Sequence, residues 1–456
     1  MYDEISPLDG RYKDRLAGLG DYFSEFALMR ARCEVELRYL LALDKTGLFE
    51  PLEEEERGRI GELLSSFDRE DFKRIKGIEK GIGHDLKACE IFLRDALDLK
   101  NPNLVHFGLT SEDVNNLAYG LILTRYRDHA QLPQLRDLIA TLLDLVERWK
   151  GIPFPARTHG QPASPTTAGK EMAVFLSRLL RQARRLERFR FAGKLNGASG
   201  NYSALLASFP DYDWEGFAGR FVSGLGLEPN RATTQVEDGD RLSEFFSIVL
   251  AIDMIVLDLD LDIWEYISRG EIVQLADPDE VGSSTMPHKV NPIRFETSEG
   301  NISVANALLQ AFMTTLTRSR MQRDLSGSTI RRNIGVALAH SHLAIGETID
   351  GLRRVEVDFE AASRALEAHP EVLTEAYQTI LRAAGYEDPY ELFRNATRGK
   401  DISLAALREL IDHLEVDQKI KDRLRKLDVK GYTGIAIRIA EEVATQARDW
   451  LNRRTD

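Results

Sequence analysis

The sequence predicts an all-α protein built from long helices packed as an antiparallel bundle. Three observations carry that prediction. Apolar residues recur at three- and four-residue steps over stretches of twenty residues and more. Links rich in Gly, Pro, Ser or Asn separate these stretches and are short, which favours antiparallel neighbours. No segment alternates polar and apolar residues convincingly enough for a strand, and no repeat period or low-complexity tract interrupts the pattern.

After a turn-rich start over residues 1–20, the first helix is expected over Tyr22–Lys45, where Phe23, Phe26, Met29, Cys33, Leu37, Leu40 and Leu41 share a helical period. A second is expected over Leu52–Ser66 and a third from about Asp85 to Leu97; Asn101-Pro102-Asn103 then breaks the chain. Thr110 or Ser111 is a natural N-cap, with Glu112 and Asp113 in the first turn of a helix reaching about Trp149 and kinked at Pro133. Residues 151–165 hold four prolines, and a helix over roughly 166–193 follows. A Gly/Ser/Asn-rich connection, Asn196–Ser203, precedes a shorter helix over 212–224. The helix over 240–268 is apolar on most faces, which suits the centre of a bundle or a subunit interface. Helices over 292–317 and 329–367, the latter continuous or broken, complete the long pattern, and Ala368-His369-Pro370 marks a boundary. The tail reads as several shorter helices, the last from Thr433 to about Arg453.

The 456 residues suffice for two or three domains around a large core, and 43% hydrophobic with 29% charged residues is ordinary globular composition. A net charge of −13 disfavours bulk binding to nucleic acid or acidic membrane, so an anionic ligand needs a local basic cluster. Cys33 and Cys89 fit no zinc or redox spacing, and a lone disulfide in so long a chain would be odd, so a reducing cytoplasm fits best. Met1-Tyr2-Asp3-Glu4 lacks the regions of a signal peptide. The most apolar stretch, Phe245–Ile267, carries Asp253, Asp258, Asp260 and Asp262, which argues for a buried helix with polar stripes over a membrane span.

Five polar clusters stand out, and none contains a metal-ligand pattern, a P-loop or a dinucleotide fingerprint. Gly282–Pro292 packs Ser283, Ser284, His288, Lys289 and Asn291 between two helical patterns, too many polar groups for a linker, and is read as a mobile catalytic loop. There Ser283 and Ser284 are candidate bases or nucleophiles, and Lys289 is a candidate anion clamp. His159, in Thr158-His159-Gly160-Gln161, suits proton transfer or an ordinary surface loop equally. Glu296 suits either the dipole of a helix start or the orienting of an imidazole. Arg318–Arg332 gathers five arginines with one acid in an acidic protein, interspersed with serines, which suits phosphate. His84-Asp85 and the segment His106–Ser111 read first as helix caps.

The loop 282–292 has the form GSSxMPxKxNP throughout, and on it the chain resembles the fumarase/aspartase superfamily from Ser6 to the end of the tail. His106–Asp113 and Thr158–Gln161 match two further regions of that superfamily. Ser6–Tyr12, His288, Lys289-Val290-Asn291-Pro292, Phe295-Glu296, Ser298–Asn301 and Gln322–Leu325 are most similar to its adenylosuccinate lyase family. The resemblance implies three helical domains: 1–110, a long central bundle at 111–367 carrying the loop, and 368–456. It implies a homotetramer whose active sites each draw on three subunits. The expected activity is β-elimination of fumarate from adenylosuccinate and from the succinylated carboxamide ribotide of purine synthesis, with small nucleotide substrates and no cofactor or metal.

By the same correspondence Ser283 is the general base and His159 the general acid, oriented by Glu296. Ser284 is structural or a donor. Lys289 and Asn291, with Thr110 and Ser111, hold the succinyl carboxylates, and Lys289 counts among the catalytic residues. Arg11, Tyr12, Arg323, Ser328 and Arg332 hold the ribose phosphate and its surroundings. His84 and Asp85 lie near phosphate and base, Gln235 contacts substrate, and His106 and Val290 fall in matching substrate-binding segments. Gly83 and Thr297 depart from the family pattern, where polar side chains are common. Another fumarate-releasing lyase, such as argininosuccinate lyase or fumarase, would not need the arginine-rich 318–332 segment. A catalytically dead structural relative would not need His159, Ser283, Lys289 and Glu296 together, and a regulatory nucleotide-binding module would not need the signature loop.

Overall fold

The computed structural model describes residues 3–275, 285–286, 288–400 and 402–453. Helices dominate it, as the periodicity predicts. The first long helix, α1 (Glu25–Asp44), opens where Ser24 Oγ accepts the Ala27 N–H at 3.1 Å. The next, α2 (Glu54–Ser66), opens on a reciprocal box in which the Glu53 N–H donates to Glu56 Oε2 at 2.7 Å. Helix α3 (Arg69–Ile82) is not among the expected helices, although Phe72, Ile75, Ile78 and Ile82 recur at helical steps in its charge-rich sequence; Ile75 is its one fully buried side chain, with Phe72 and Ile78 packed beside it. It ends at Gly83, whose φ of +69° makes the left-handed cap that glycine adopts without strain. The glycine that departs from the family pattern thus serves the backbone. Helix α4 (Asp85–Leu97) begins at once, with His84 Nδ1 accepting the Lys87 N–H at 3.2 Å. Met29, Cys33 and Leu37 of α1 pack with Ile60, Ile75, Cys89 and Phe92. Both thiols are free and buried; a hydrogen bond with Cys89 and burial hold the Cys33 thiol well above its ordinary pKa.

The kink expected at Pro133 is a π-helical turn, Arg127–Gln131, between α5 (Ser111–Tyr126) and α6 (Leu132–Trp149). Proline lacks the N–H that would bond the carbonyl of residue 129, and the widened turn sits at that carbonyl. The proline-rich stretch beyond is a hairpin: β1 (Pro153–Thr158) pairs antiparallel with β2 (Gln161–Thr167). Two further strand pairs are only two or three residues long, so the fold remains all-α.

Helices α7 (Ala168–Arg188), α8 (Trp214–Gly224) and α9 (Asp240–Arg269) lead into β3 (Ile272–Gln274). After the signature loop come α10 (Ile293–Thr315), α11 (Ser326–Arg331), α12 (Ile334–Leu352), β4 (Val355–Val357), which pairs with β3, and α13 (Phe359–Glu367). The expected helix over 329–367 is therefore three. Helices α14 (Thr374–Ala383), α15 (Pro389–Thr397), α16 (Leu404–Asp412) and α17 (Gln418–Arg425) enclose Leu373, Tyr377, Phe393 and Leu407, and α18 (Ala436–Leu451) follows. No helix among the described residues is long and apolar enough to cross a membrane.

The chain forms two compact units: residues 1–134, 182–254 and 300–344, and residues 135–181, 255–299 and 345–456. In the first, α9 and α10 run antiparallel, with the rings of Phe246 and Phe312 5.4 Å apart and Asn306 beside Met254. There Ser341 Oγ donates to the buried Asp253 Oδ1 at 2.6 Å. In the second, Thr348 Oγ1 donates to the buried Asp260 Oδ1 at 2.9 Å, and the Phe295 ring fills the space a side chain at Gly351 would need. The four aspartates of the apolar helix therefore divide: Asp253 and Asp260 are buried on hydroxyls, Asp258 pairs with Arg178, and Asp262 is half-buried. Burial pushes Asp253 up to about 7, against the Ser341 hydrogen bond, and pushes Asp260 well above the carboxylate range.

A carboxyl held neutral in this way has a pH signature. The folded chain binds the Asp253 proton more tightly than the unfolded chain, so its contribution is full below about pH 4 and declines as pH rises to about 7. Asp253→Asn removes that slope. In urea denaturation the variant gains on wild type between pH 4 and pH 8, by at most about 4 kcal/mol. Parallel pH profiles for the two proteins would refute the neutral carboxyl.

Candidate active site

The first unit builds its part of the site around the turn His106–Asp113. His106 and Gly108 both take left-handed backbone, with φ +63° and +69°. A Cβ at Gly108 would collide with Leu205, so this position requires glycine. His106 Nδ1 lies 2.6 Å from Glu36 Oε1. Burial alone would lower the imidazole pKa, but the Glu36 carboxylate outweighs it and raises it. Thr110 caps α5, its N–H donating to Asp113 Oδ2 at 2.9 Å, and Ser111 is the first helical residue, so the capping expected of this pair is present.

Behind the turn lies a buried ion pair. Lys194 Nζ is 2.9 Å from Asp113 Oδ1, and both side chains are fully buried. The ammonium also donates to the carbonyls of Gly197 at 2.9 Å and Gln235 at 2.8 Å, so each of its three protons has an acceptor. Burial lowers the Lys194 pKa, although Asp113 opposes the shift. The Gln235 side chain is fixed in turn: Nε2 donates to the Ala198 carbonyl at 3.0 Å, and Oε1 accepts from Arg323 Nη1 at 3.2 Å. Buried Glu112 pairs with Arg331 and stands 3.8 Å from Arg323 Nη2. A cavity of about 180 Å³ is lined by Glu112, Arg323, Ser328 and Arg331 among others.

Arg332 reaches Asp85 instead, at 3.4 Å, and Arg32 holds the same carboxylate at 2.9 Å. Burial would raise the Asp85 pKa; Arg32, the Leu86 N–H and Arg332 together outweigh it and hold it below the ordinary range. Arg32, Asp85, Arg331 and Arg332 edge a second cavity of about 200 Å³ with an apolar wall that includes Phe23 and Leu28. His84 is exposed beside them. Arg11 lies over the Tyr12 ring at 6.0 Å, and among the described residues no hydrogen bond joins either to these clusters.

The second unit carries the rest. His159 and Gly160 are the two central residues of the β1–β2 hairpin, with φ +54° and +72°. Two positive φ values define the type I′ turn that matches strand twist; glycine takes such a φ freely, whereas histidine rarely does. The geometry fixes His159 at an exposed tip. Lys289 is exposed, with its N–H on the Met286 carbonyl at 3.2 Å, and Gln274 Nε2 of β3 donates to the Val290 carbonyl at 3.2 Å. Asn291 is half-buried just before α10. Glu296, exposed in the first turn of α10, accepts from Trp264 Nε1 at 3.1 Å; among the described residues no hydrogen bond joins it to His159. Gly282, Ser283, Ser284 and Pro287 lie outside the described residues.

The structure thus brings Gln235, Arg323 and Ser328 together, and Asp85 with Arg332. It adds Lys194 and Arg32, which no motif singled out, and assigns partners to Glu112 and Arg331, which the sequence placed only within larger segments. Lys194 did leave a trace, as a lone cation in the apolar run Phe191-Ala192-Gly193-Lys194-Leu195. No cluster of metal-ligating side chains occurs among the described residues. What the first unit offers is guanidinium forks around a small cavity, a fit for an anionic ligand.

A family model described as lyase matches residues 23–305, and one described as adenylosuccinate lyase C-terminal matches residues 319–433. The chain is 42% identical over 448 residues to the adenylosuccinate lyase of Haemophilus influenzae, covering 96% of this chain and 98% of that protein. It is 41% identical, with the same coverage, to that of Escherichia coli K12. Among solved structures, the 3-carboxy-cis,cis-muconate lactonizing enzyme from Pseudomonas putida aligns with a TM-score of 0.76 at 22% identity, over 95% of this chain and 97% of that one. A fumarate lyase from Mesorhizobium sp. BNC1 aligns with a TM-score of 0.77 at 18% identity, over 94% and 97%. At those identities the likeness establishes the fold.

The buried ion pair gives a stability prediction. Lys194→Met keeps the volume but leaves Asp113 buried without its cation, and should cost about 3–5 kcal/mol in urea denaturation at pH 7. A loss under about 1 kcal/mol would mean that water replaces the ammonium and that the pair organises nothing.

Proposed function

The chain belongs to the adenylosuccinate lyase family, and from that premise we propose which of its residues carry out the elimination and where the substrate sits. The chain is a lyase of purine nucleotide biosynthesis. Its substrates in this reading are adenylosuccinate, cleaved to AMP and fumarate, and the succinylated carboxamide ribotide, cleaved to the free carboxamide and fumarate. The observation that carries the phosphate end is the Arg323–Gln235 contact beside a cavity lined by Ser328 and Arg331, in a protein of net charge −13.

The chemistry needs a base, a cradle for negative charge and an acid. Ser283, as alkoxide, removes the proton from the succinyl carbon next to a carboxylate. The electron pair spreads into that carboxylate, where Lys289 and Asn291, with Thr110 and Ser111, stabilise it. The C–N bond then breaks, and His159 gives a proton to the leaving nitrogen. Glu296 orients that imidazole. Arg11, Tyr12, Arg323, Ser328 and Arg332 hold the phosphate and its surroundings, with His84, Asp85, His106, Gln235 and Val290 around the nucleotide.

The enzyme works as a cytoplasmic homotetramer with shared active sites in this reading. In the first unit Met254 of α9 and Val304 of α10, and in the second Val174 of α7 with Leu261 and Trp264 of α9, are large apolar side chains 38–46% exposed, which neighbouring copies would cover. Sharing would also let Glu296 of one subunit meet His159 of another.

Incubation with adenylosuccinate should shift its ultraviolet spectrum and release fumarate in equal amount; an unchanged spectrum would point to a different fumarate-releasing lyase. Ser283→Ala and His159→Ala should each lower kcat by about 10²–10⁴ with the circular dichroism spectrum and oligomer mass unchanged. Full turnover in either variant would remove that residue from the mechanism. Arg323→Ala should raise KM at least tenfold for the phosphorylated substrate and leave a dephosphorylated analogue little affected, as expected for loss of a charge-assisted bond. An unaltered preference between the two would place the phosphate elsewhere.

A further inference from the structure

His159 sits at the tip of the β1–β2 hairpin, and a two-residue turn cannot by itself fix the direction in which a hairpin points. Several contacts anchor this one. Far from the tip, Phe154 packs edge-on against Tyr266 with ring centroids 5.0 Å apart, and Ser164 Oγ donates to Glu375. Nearer the tip Pro162 stands opposite Arg157, at a rung of the antiparallel pair where neither residue donates across the ladder. At that rung the Arg157 guanidinium grips the Glu271 carboxylate with both nitrogens, Nη1 donating to Oε2 at 2.9 Å and Nη2 to Oε1. Glu271 is 2% exposed, so the fork is shielded from solvent on the carboxylate side.

Glu271 is itself held. Its N–H donates to the Tyr266 carbonyl at 3.0 Å, its carbonyl accepts the Asp358 N–H at 3.0 Å, and it leads directly into β3, which pairs with β4. The fork therefore ties the residue two places before His159 to a strand pair fixed within the same unit. A bidentate guanidinium–carboxylate pair constrains direction as well as distance, which a lysine would not do.

We propose that Arg157 and Glu271 are positioning residues for the elimination: their planar ion pair aims the hairpin tip so that the His159 imidazole meets the leaving nitrogen. This rests on His159 being the general acid. Neither residue touches the reacting atoms. Their effect falls on the step in which the acid must be in line, so it appears in kcat and spares substrate affinity. Misplacing an acid by about 1 Å costs on the order of 100-fold in rate.

The test is a set of full-length variants assayed with adenylosuccinate. Arg157→Lys keeps the charge and the fold but loses the fork; it should lower kcat tenfold or more with KM within about twofold. Arg157→Met should lower it further. Introduced into His159→Ala, Arg157→Lys should change the residual rate less than twofold, because there is no acid left to aim. A wild-type kcat in Arg157→Lys, with His159→Ala strongly impaired, overturns the positioning role and leaves the general acid standing. Equal losses from Arg157→Lys in both backgrounds also overturn it, since that is the mark of a general structural effect. Full activity of His159→Ala removes the acid and, with it, this inference.

Discussion

The ammonium of Lys194 is the constraint on which the first unit's share of the site depends. A cation with no solvent contact must find an acceptor for every proton, and this one takes them from three separate segments: the Asp113 carboxylate, the Gly197 carbonyl and the Gln235 carbonyl. Asp113 answers by accepting the Thr110 N–H, and Gln235 by accepting Arg323. One buried charge thereby fixes a helix start, a glycine-rich connection and the loop that presents an arginine. Geometry of that kind is expensive to change piecemeal, because removing either charge strands the other.

The molecule treats buried charge in three distinct ways. Lys194 and Asp113 remain paired. Asp253 and Asp260, deep in the longest helix with only hydroxyl partners, have carboxyls shifted toward the neutral form. Glu112 and Glu271 are buried on one side and meet arginines that are less buried than they are, which suits anchors at the edge of a site. The difference tracks the partner: Asp113, Glu112 and Glu271 meet a full counter-charge, whereas Asp253 and Asp260 meet only hydroxyls.

The proposed general acid is held by another principle. His159 occupies a left-handed backbone position at a two-residue turn, where most side chains are disfavoured, and the hairpin below it carries four prolines over residues 151–165. A two-stranded hairpin does not set its own direction, so this one takes it from side chains that reach outward, chiefly Phe154 and Arg157. A rigid turn on a steerable stem puts an imidazole at the surface without burying it.

Much of this was legible in the sequence. The apolar spacing fixes most of the long helices nearly to their ends, His84-Asp85 and Thr110-Ser111 read as helix openings, and the signature loop with its companion motifs names the family and its chemistry. Those features are local: a period, a cap or a motif lies within a few residues of itself. Helix α3 was legible only faintly, in Phe72, Ile75, Ile78 and Ile82 at helical steps within a charge-rich stretch, and the hairpin was not, because its prolines mask alternation. Nor was the choice of partners. Arg323 with Gln235, 88 residues away, Arg157 with Glu271, 114 away, and Glu296 with Trp264, 32 away, are contacts between distant segments. Sequence determined which helices form and to which family's chemistry the chain belongs; tertiary structure alone decided which charges meet. Ion pairing and burial depend on distance through space, and that distance is set only when the helices pack.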